Sequence, residues 1–314
     1  MKVWQAILDE LESGKNAALL YVVQSQGSSP GRQGFKMMVS QGGSMKGSIG
    51  GGAMEHKLVE LAKSKLNQVS KPFIKQQFHR DDANIDRSGM ICSGEQIVTF
   101  YFLTPDAIVT VKAILRSLQQ NRKGTLVLTE ADLKYNETET LNEPFSFELT
   151  HPNWIYKQQL GYQNTVFIIG AGHVGLALSK LMVQLGFYVV VLDDRDDLNT
   201  MIGDKHAHNC RVINYEKIST NIDEGPNSFV VIMTFGYRPD KFVLKQLLDK
   251  NFKYVGMMGS EAKVKQLMKE LLAEGFNKVD LDKVHSPIGV TIGSQTPEEI
   301  AISVAAEIIA VKNK

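Results

Sequence analysis

The sequence predicts an α/β protein in two domains: a C-terminal half built on a doubly wound parallel sheet, and an N-terminal half of mixed α+β type. Three observations predict it. The 314 residues favour two domains, since a domain averages roughly 150 residues. After residue 163, unbroken apolar strands alternate with helical segments, the pattern of a parallel sheet covered on both faces. Before it, strands follow one another across glycine-rich turns, and the pattern is mixed. The domains are therefore placed at 1–162 and 163–314.

In the first half, Val3, Ala6, Ile7 and Leu11 recur at helical spacing until Gly14 stops them. Ala17 to Val23 is an apolar run of strand length. Gly27-Ser28-Ser29-Pro30-Gly31-Arg32-Gln33-Gly34 reads as a loop on composition. Lys36 to Ser40 and Met45 to Ile49 read as a hairpin closed by Gln41-Gly42-Gly43-Ser44. Gly50-Gly51-Gly52 leads into a helix over 53–66 with Leu58, Leu61, Ala62 and Leu66 on one face. Strands follow at 72–79 and 96–103, a helix after Pro105, and a strand at 124–129. Residues 131–163 show little periodicity and read as irregular strands plus the interdomain linker.

The second half is more regular. Thr165 to Ile169, Tyr188 to Leu192, Ser228 to Thr234 and Lys253 to Met258 read as strands, and helices are predicted at 174–185, 239–250 and 260–274. Thr296-Pro297-Glu298-Glu299 opens the last helix with a capping threonine, a proline in the first turn and a capping-box glutamate.

Bulk composition excludes several classes. A hydrophobic share of 43% with 22% charged residues is ordinary for a globular protein. A net charge of +1 argues against a chain-wide nucleic-acid footprint. No apolar run approaches the roughly 18 residues of a membrane span, and the start lacks the features of a signal peptide, so a cytoplasmic protein is expected. Two cysteines, Cys92 and Cys210, cannot form a disulfide framework.

The strongest local signal is Gly170-Ala171-Gly172-His173-Val174-Gly175, which directly follows a buried strand and opens a helix. A second strand ends in Asp193 about twenty residues on, completing the Rossmann fingerprint. Gly170 permits the tight turn, Gly172 the approach of a pyrophosphate, and Gly175 the close packing of helix on strand. The free N–H groups and positive end of the helix dipole would hold the phosphates. Asp193 is expected to accept hydrogen bonds from a ribose, whereas Arg195 could instead reach a 2′-phosphate; the sequence leaves both open. His173 and Val174 are read as helix-start residues beside the phosphates.

The N-terminal loops carry weaker signals. Gly50-Gly51-Gly52 could bind an anion through backbone N–H groups or form a tight turn against a neighbouring backbone. Gly27-Ser28-Ser29 is hydroxyl-rich, but a serine nucleophile needs a histidine base and an orienting acid, and neither can be assigned. Cys92 and Ser93 lie in a glycine-flanked loop, where a thiol would be accessible. His206, His208 and Cys210 would share one face of an extended strand, but Cys210 reads as the start of a core strand and no fourth ligand is evident, so no metal site is predicted.

Taken together, these motifs resemble the XdhC/CoxI family of maturation factors for molybdenum hydroxylases, over nearly the whole chain. The resemblance rests on Gly27-Ser28-Ser29-Pro30 with Lys36-Met37-Met38-Val39, on Gly47-Ser48-Ile49-Gly50-Gly51-Gly52-Ala53-Met54-Glu55, and on Gly89-Met90-Ile91-Cys92. It continues through the glycine fingerprint, Asp193-Asp194-Arg195, Tyr254-Val255-Gly256-Met257-Met258-Gly259-Ser260, and Pro287-Ile288-Gly289-Val290-Thr291-Ile292-Gly293 with Thr296-Pro297-Glu298-Glu299-Ile300-Ala301. The sequence departs from the family pattern at Phe235, Ser286 and Ser93, where a histidine, a cysteine and a glycine are usual.

The resemblance implies a chaperone that binds molybdenum cofactor, as molybdopterin or its dinucleotide, while it acquires its sulfido ligand and passes to a xanthine dehydrogenase-type client. Implied partners are that molybdenum hydroxylase, a cysteine desulfurase as candidate sulfur donor, and a second copy of the chain in a homodimer. Candidate contacts for the cofactor are Cys92, Ser93, Gly27, Ser28, Ser29, Gly50, Gly51 and Gly52. The main rival reading is an NAD(P)-dependent oxidoreductase, in which the fingerprint is commonest, and a third is a nucleotide-sensing regulatory module. A dehydrogenase needs a proton donor at the nicotinamide end, and no residue of the sequence can be named for it.

Overall fold

The computed structural model describes residues 1–66, 71–78 and 94–314, which divide into two compact units, Met1–Gly161 and Tyr162–Lys314. No helix among the described residues is long and apolar enough to cross a membrane.

The N-terminal unit holds two antiparallel sheets. Strands β1 (Ala17–Gln26), β2 (Lys36–Ser40), β3 (Met45–Ser48), β4 (Phe73–Phe78) and β5 (Glu95–Leu103) pair in the order β3-β2-β1-β5-β4. The central strand β1 is apolar without alternation because both its faces are covered. Ala18, Leu20 and Val22 pack with Met54, Leu58, Val59 and Ala62 of helix α2 (Gly52–Leu66). Leu19, Tyr21 and Val23 face the other way, into a core with Trp4, Ile7 and Leu11 of helix α1 (Lys2–Glu12) and Val111, Ile114 and Leu115 of helix α3 (Ile108–Gln119).

That core also receives Leu126, Leu128, Trp154 and Tyr156 from the second sheet. Its strands are β6 (Gly124–Thr129), β7 (Leu133–Asn136), β8 (Phe145–Thr150) and β9 (Asn153–Leu160), in the order β7-β6-β9-β8. The expectation of irregular strands and a linker over 131–163 is corrected here. β8 and β9 pair in unbroken antiparallel register from Phe145↔Gln158 to Thr150↔Asn153. Their half-exposed, alternating faces (β8 reads intermediate, exposed, intermediate along its length) dilute the apolar signal that marks a buried strand.

The C-terminal unit is a six-stranded, wholly parallel sheet. Its strands are β10 (Thr165–Ile169), β11 (Tyr188–Asp193), β12 (Asn209–Val212), β13 (Gly225–Ile232), β14 (Phe252–Met257) and β15 (Val284–His285), in the order β12-β11-β10-β13-β14-β15. Sequence order reverses between β10 and β13, the switch point at which open α/β sheets bind ligands beyond the strand C-termini. Val166 and Ile168 of β10 pack toward helices α4 (His173–Gln184) and α9 (Pro297–Lys312). Phe167 and Ile169 pack on the opposite face, toward α6 (Tyr237–Lys245) and α7 (Glu261–Ala273). Short helices α5 (Asn199–Ile202) and α8 (Lys278–Leu281) complete the connections. The capping box expected at α9 forms, Thr296 accepting from the Glu299 N–H while Glu299 accepts from the Thr296 N–H.

One half-buried cation is conspicuous in the N-terminal unit. The Lys36 ammonium donates to the Gly34 carbonyl at 2.9 Å and lies 4.8 Å from the Tyr21 ring centroid. Burial lowers its pKa to about 8. The folded state therefore disfavours the charged form. The penalty is complete below about pH 8 and is relieved as pH rises toward the unfolded value near 10.4. Lys36→Met should raise stability at neutral pH by about 1–3 kcal/mol, since each tenfold loss of proton affinity corresponds to roughly 1.4 kcal/mol. In urea titrations that advantage should shrink as the pH is raised through the folded pKa; an advantage independent of pH would refute the assignment.

Candidate functional site

The crevice at the switch point is built on a glycine turn whose members have separate duties. Gly170 has φ +118°, and a Cβ there would lie 2.1 Å from the Met233 carbonyl, so it sets the approach of the loop after β13 to the end of β10. A Cβ on Gly175 would lie 2.2 Å from the Gly170 carbonyl, so this glycine lets α4 seat on the turn. At Gly172 a Cβ would meet nothing within 4 Å, and φ −70°, ψ −173° is backbone that any residue adopts. Gly172 is the N-cap of α4, and no side chain caps the helix there. The positive helix end is thus uncovered at the one glycine of the three beside open space.

The turn is held from below. Asp193, at the end of β11, is fully buried. Its Oδ2 accepts from the Ala171 N–H at 2.7 Å and from Arg195 Nη2 at 2.9 Å. Its Oδ1 accepts from the Arg195 N–H at 3.1 Å and from Arg195 Nε at 2.8 Å. Burial by itself would raise the carboxyl pKa, but the bonds from the Arg195 side chain and the Ala171 and Arg195 N–H groups outweigh it and hold the value below the usual range. Thr200 of α5 adds a hydrogen bond to the Ala171 carbonyl. The ribose contact expected from Asp193 is corrected accordingly: with four donors on a carboxylate that has no exposed surface, Asp193 braces the turn and Arg195. Asp194, the next residue, is exposed.

Across the crevice, the loop after β13 is fixed by a residue that no sequence motif marks. Asp240 of α6 is buried, accepting from the Thr234 N–H at 2.9 Å and the Thr234 hydroxyl at 2.5 Å. Its other oxygen takes Lys263 Nζ of α7 at 2.5 Å. Thr234 is thereby anchored, and the next residue, Phe235, stands exposed.

His173 lines a groove of about 470 Å³ between α4 and α9 with Leu176, Lys180 and Ala301. Val174 packs against the core on the α4–α9 side of the sheet. The His206, His208 and Cys210 constellation does not assemble. His208 accepts from the Val189 N–H and bonds the Tyr162 hydroxyl at 2.6 Å, and no metal-binding group occurs among the described residues. Cys210, expected to begin a core strand, is exposed on the edge strand β12. The Pro287–Gly293 motif is strapped to α9, where Glu307 accepts from the Tyr254 hydroxyl at 2.6 Å and the Gly289 N–H at 2.8 Å.

In the N-terminal unit the glycine loops converge on one another. Gln96, buried, accepts at Oε1 from the Ser29 hydroxyl at 2.8 Å and the Gly31 N–H at 3.2 Å, and donates to the Ile49 carbonyl at 3.4 Å. A Cβ on Gly50 would lie 2.7 Å from the Gly31 nitrogen, and one on Gly94 would lie 2.4 Å from the Ser29 nitrogen. Of the two readings open for Gly50-Gly51-Gly52, the tight turn against a neighbouring backbone is the one that forms, and the anion at its N–H groups is one of the chain's own. Glu55 Oε2 accepts from the Ser48 hydroxyl at 2.7 Å and from the Ile49 and Gly51 N–H groups at 2.9 Å each. Gly27 and Ser28 are exposed. Cys92 and Ser93 lie outside the described residues.

The brace under the turn is testable. Since the folded pKa of Asp193 is depressed, its stabilisation is present above about pH 4 and is lost as pH falls through the folded value. Asp193→Asn should cost about 1–3 kcal/mol at neutral pH, the scale of hydrogen bonds to a charged group. In denaturant titrations the gap to wild type should narrow as the pH falls below the ordinary carboxylate range and through the depressed folded value. A gap that stays constant with pH would mean that Asp193 does not brace the turn as a carboxylate.

Comparison with known proteins assigns the family. Residues 166–308 match the family model described as the XdhC Rossmann domain, and residues 10–72 match that of the XdhC and CoxI family. A Bacillus subtilis protein described as a probable xanthine dehydrogenase subunit is 25% identical over 97% of this chain and 96% of its own length. The Escherichia coli protein YqeB, described as uncharacterized, is 27% identical over 94% of this chain, which spans only 43% of that relative. A crystal structure described as a xanthine dehydrogenase from Bacillus halodurans shares the fold, with a TM-score of 0.76 over 100% of this chain and 96% of its own, at 23% identity. With one family model on each of the two units, in order along the sequence, the chain belongs to the XdhC and CoxI family.

Proposed function

We propose that the chain is a maturation factor for a xanthine dehydrogenase-type molybdenum hydroxylase, holding molybdenum cofactor as its cargo by the phosphate or dinucleotide end. The observation that carries this reading is the uncovered start of α4 at Gly172, where the backbone faces open space at the switch point. A phosphate satisfies such a helix end through N–H groups and the dipole. The N-terminal nest offers no equivalent, because Glu55 fills it. The client class is supported by the family and by the full-length similarity to the Bacillus subtilis relative.

Gly170, Gly172 and Gly175 would form the phosphate cradle, and Arg195, held by Asp193, would supply positive charge beside it. Within the N-terminal unit, Cys92 is proposed separately as a thiolate, a soft ligand for molybdenum or sulfur, with Ser93, Gly27, Ser28 and Ser29 as further candidate contacts. The cofactor itself supplies the redox chemistry of the client, and this chain's part is to bind and shield it.

Gly172→Val is the direct test, because its backbone conformation and open surroundings leave the fold no reason to change. Calorimetry with ADP, NAD and NADP should show binding weakened at least about tenfold, or about 1.4 kcal/mol, with the thermal midpoint unchanged. Wild-type affinity in the folded variant would move the site elsewhere. Cys92→Ser, expressed with its client, should lower the molybdopterin that co-purifies, measured by fluorescence after oxidation; undiminished cofactor would remove Cys92 from the site. Steady turnover of NAD(P)H with carbonyl substrates would instead make the protein an oxidoreductase.

A further inference from the structure

Phe235 is 84% exposed, the most exposed large hydrophobic among the described residues. Its setting is unlike that of a stray surface side chain. It follows Thr234, which Asp240 fixes through two hydrogen bonds, and it precedes Gly236, whose φ of +123° turns the chain into α6. A Cβ on Gly236 would meet nothing within 4 Å, so the turn that carries the ring is itself beside open space. The Arg195 guanidinium lies 5.7 Å from the Phe235 ring centroid. Arg195 follows β11 and Phe235 follows β13, and β10 runs between those strands. Ring and guanidinium therefore meet over the end of β10, where the glycine turn leaves the sheet.

An aromatic face beside a guanidinium plane recognises flat heterocycles, because bases stack on either with little regard to their hydrogen-bonding edges. Arg195 is kept in place by its two-point contact with buried Asp193, so part of its ordering cost is met before a ligand arrives. Standing exposed, Phe235 forgoes most of its apolar burial and would recover part of it by covering a ring.

We propose that Phe235 and Arg195 form a stacking platform for the planar heterocycle, purine or pterin, of the ligand whose phosphates sit at Gly172. This rests on the phosphate-site reading above and adds the element that selects a ring-bearing ligand over a bare phosphate. Phe235 is the specificity determinant, and Arg195 contributes both charge and a stacking plane.

The test uses the full chain and three probes in calorimetry: ADP, a pterin carrying a diphosphate, and inorganic pyrophosphate, which has no ring. Phe235→Ala should weaken the better-bound ring-bearing probe about tenfold or more, the range found for removal of one stacking aromatic. Pyrophosphate affinity should be unchanged, and Phe235→Tyr should retain wild-type binding. Because the side chain is exposed, the thermal midpoint of both variants should match wild type. Whichever of ADP and the pterin diphosphate binds more tightly to wild type identifies the ring. Equal affinity of wild type for pyrophosphate and both ring-bearing probes, or undiminished ring-bearing affinity in Phe235→Ala, would overturn the platform and leave the phosphate site standing. Failure of wild type to bind any of the three would overturn both.

Discussion

A carboxylate with no exposed surface must be surrounded by donors, and the C-terminal unit is arranged around meeting that demand for Asp193. The Ala171 N–H is one of the donors, so the path of the glycine turn is tied to the end of β11. That path puts Gly170 against the Met233 carbonyl, which fixes the loop after β13 relative to β10. The same carboxylate takes two bonds from the Arg195 side chain, so one buried charge orients both the turn and the cation beside it. Removing the charge would loosen the turn and the cation together, while Asp240 would still hold Thr234.

The two units treat an uncovered run of backbone N–H groups in opposite ways. In the N-terminal unit, Glu55 folds back onto Ile49 and Gly51, and its hydrogen bonds hold its pKa below the usual range although burial opposes this. The helix that follows begins already neutralised. At α4 no side chain returns to the helix start. Two elements with similar glycine-rich sequences thus differ in whether their positive end is available, and the difference comes down to a glutamate three residues into α2.

Much of the C-terminal unit was legible in the sequence. Strands with both faces buried read as unbroken apolar runs, and the fingerprint, the second acidic strand end and the capping box at Thr296 each have local causes. The two-residue β15 left no such trace, and the four-residue β12 was legible from Cys210 as a strand but not as an exposed edge one, because edge strands that short are defined by their neighbour and not by their own pattern. Strands β7 to β9 were obscured for the related reason that their outer faces are wet. The role of Asp193 was missed at a finer level. Its position was right, but which way a carboxylate turns depends on what lies beneath the glycine turn. Gln96, Glu55 and Asp240 carry no motif; each matters through loops distant in sequence that it joins, as Gln96 joins Ser29 to Ile49.

The unequal surroundings of the three fingerprint glycines bear on how such a protein can change over generations. Gly170 and Gly175 are confined by carbonyl oxygens 2.1 and 2.2 Å from any added carbon, so selection for folding alone would retain them. Gly172 is free of both steric and conformational restraint, so beyond the mild preference for glycine at a helix N-cap, a ligand is what would give selection a reason to keep it bare. A descendant that abandoned its ligand would preserve the outer two glycines and let the middle one drift. The middle position therefore records whether a lineage still uses the crevice, independently of whether it still folds.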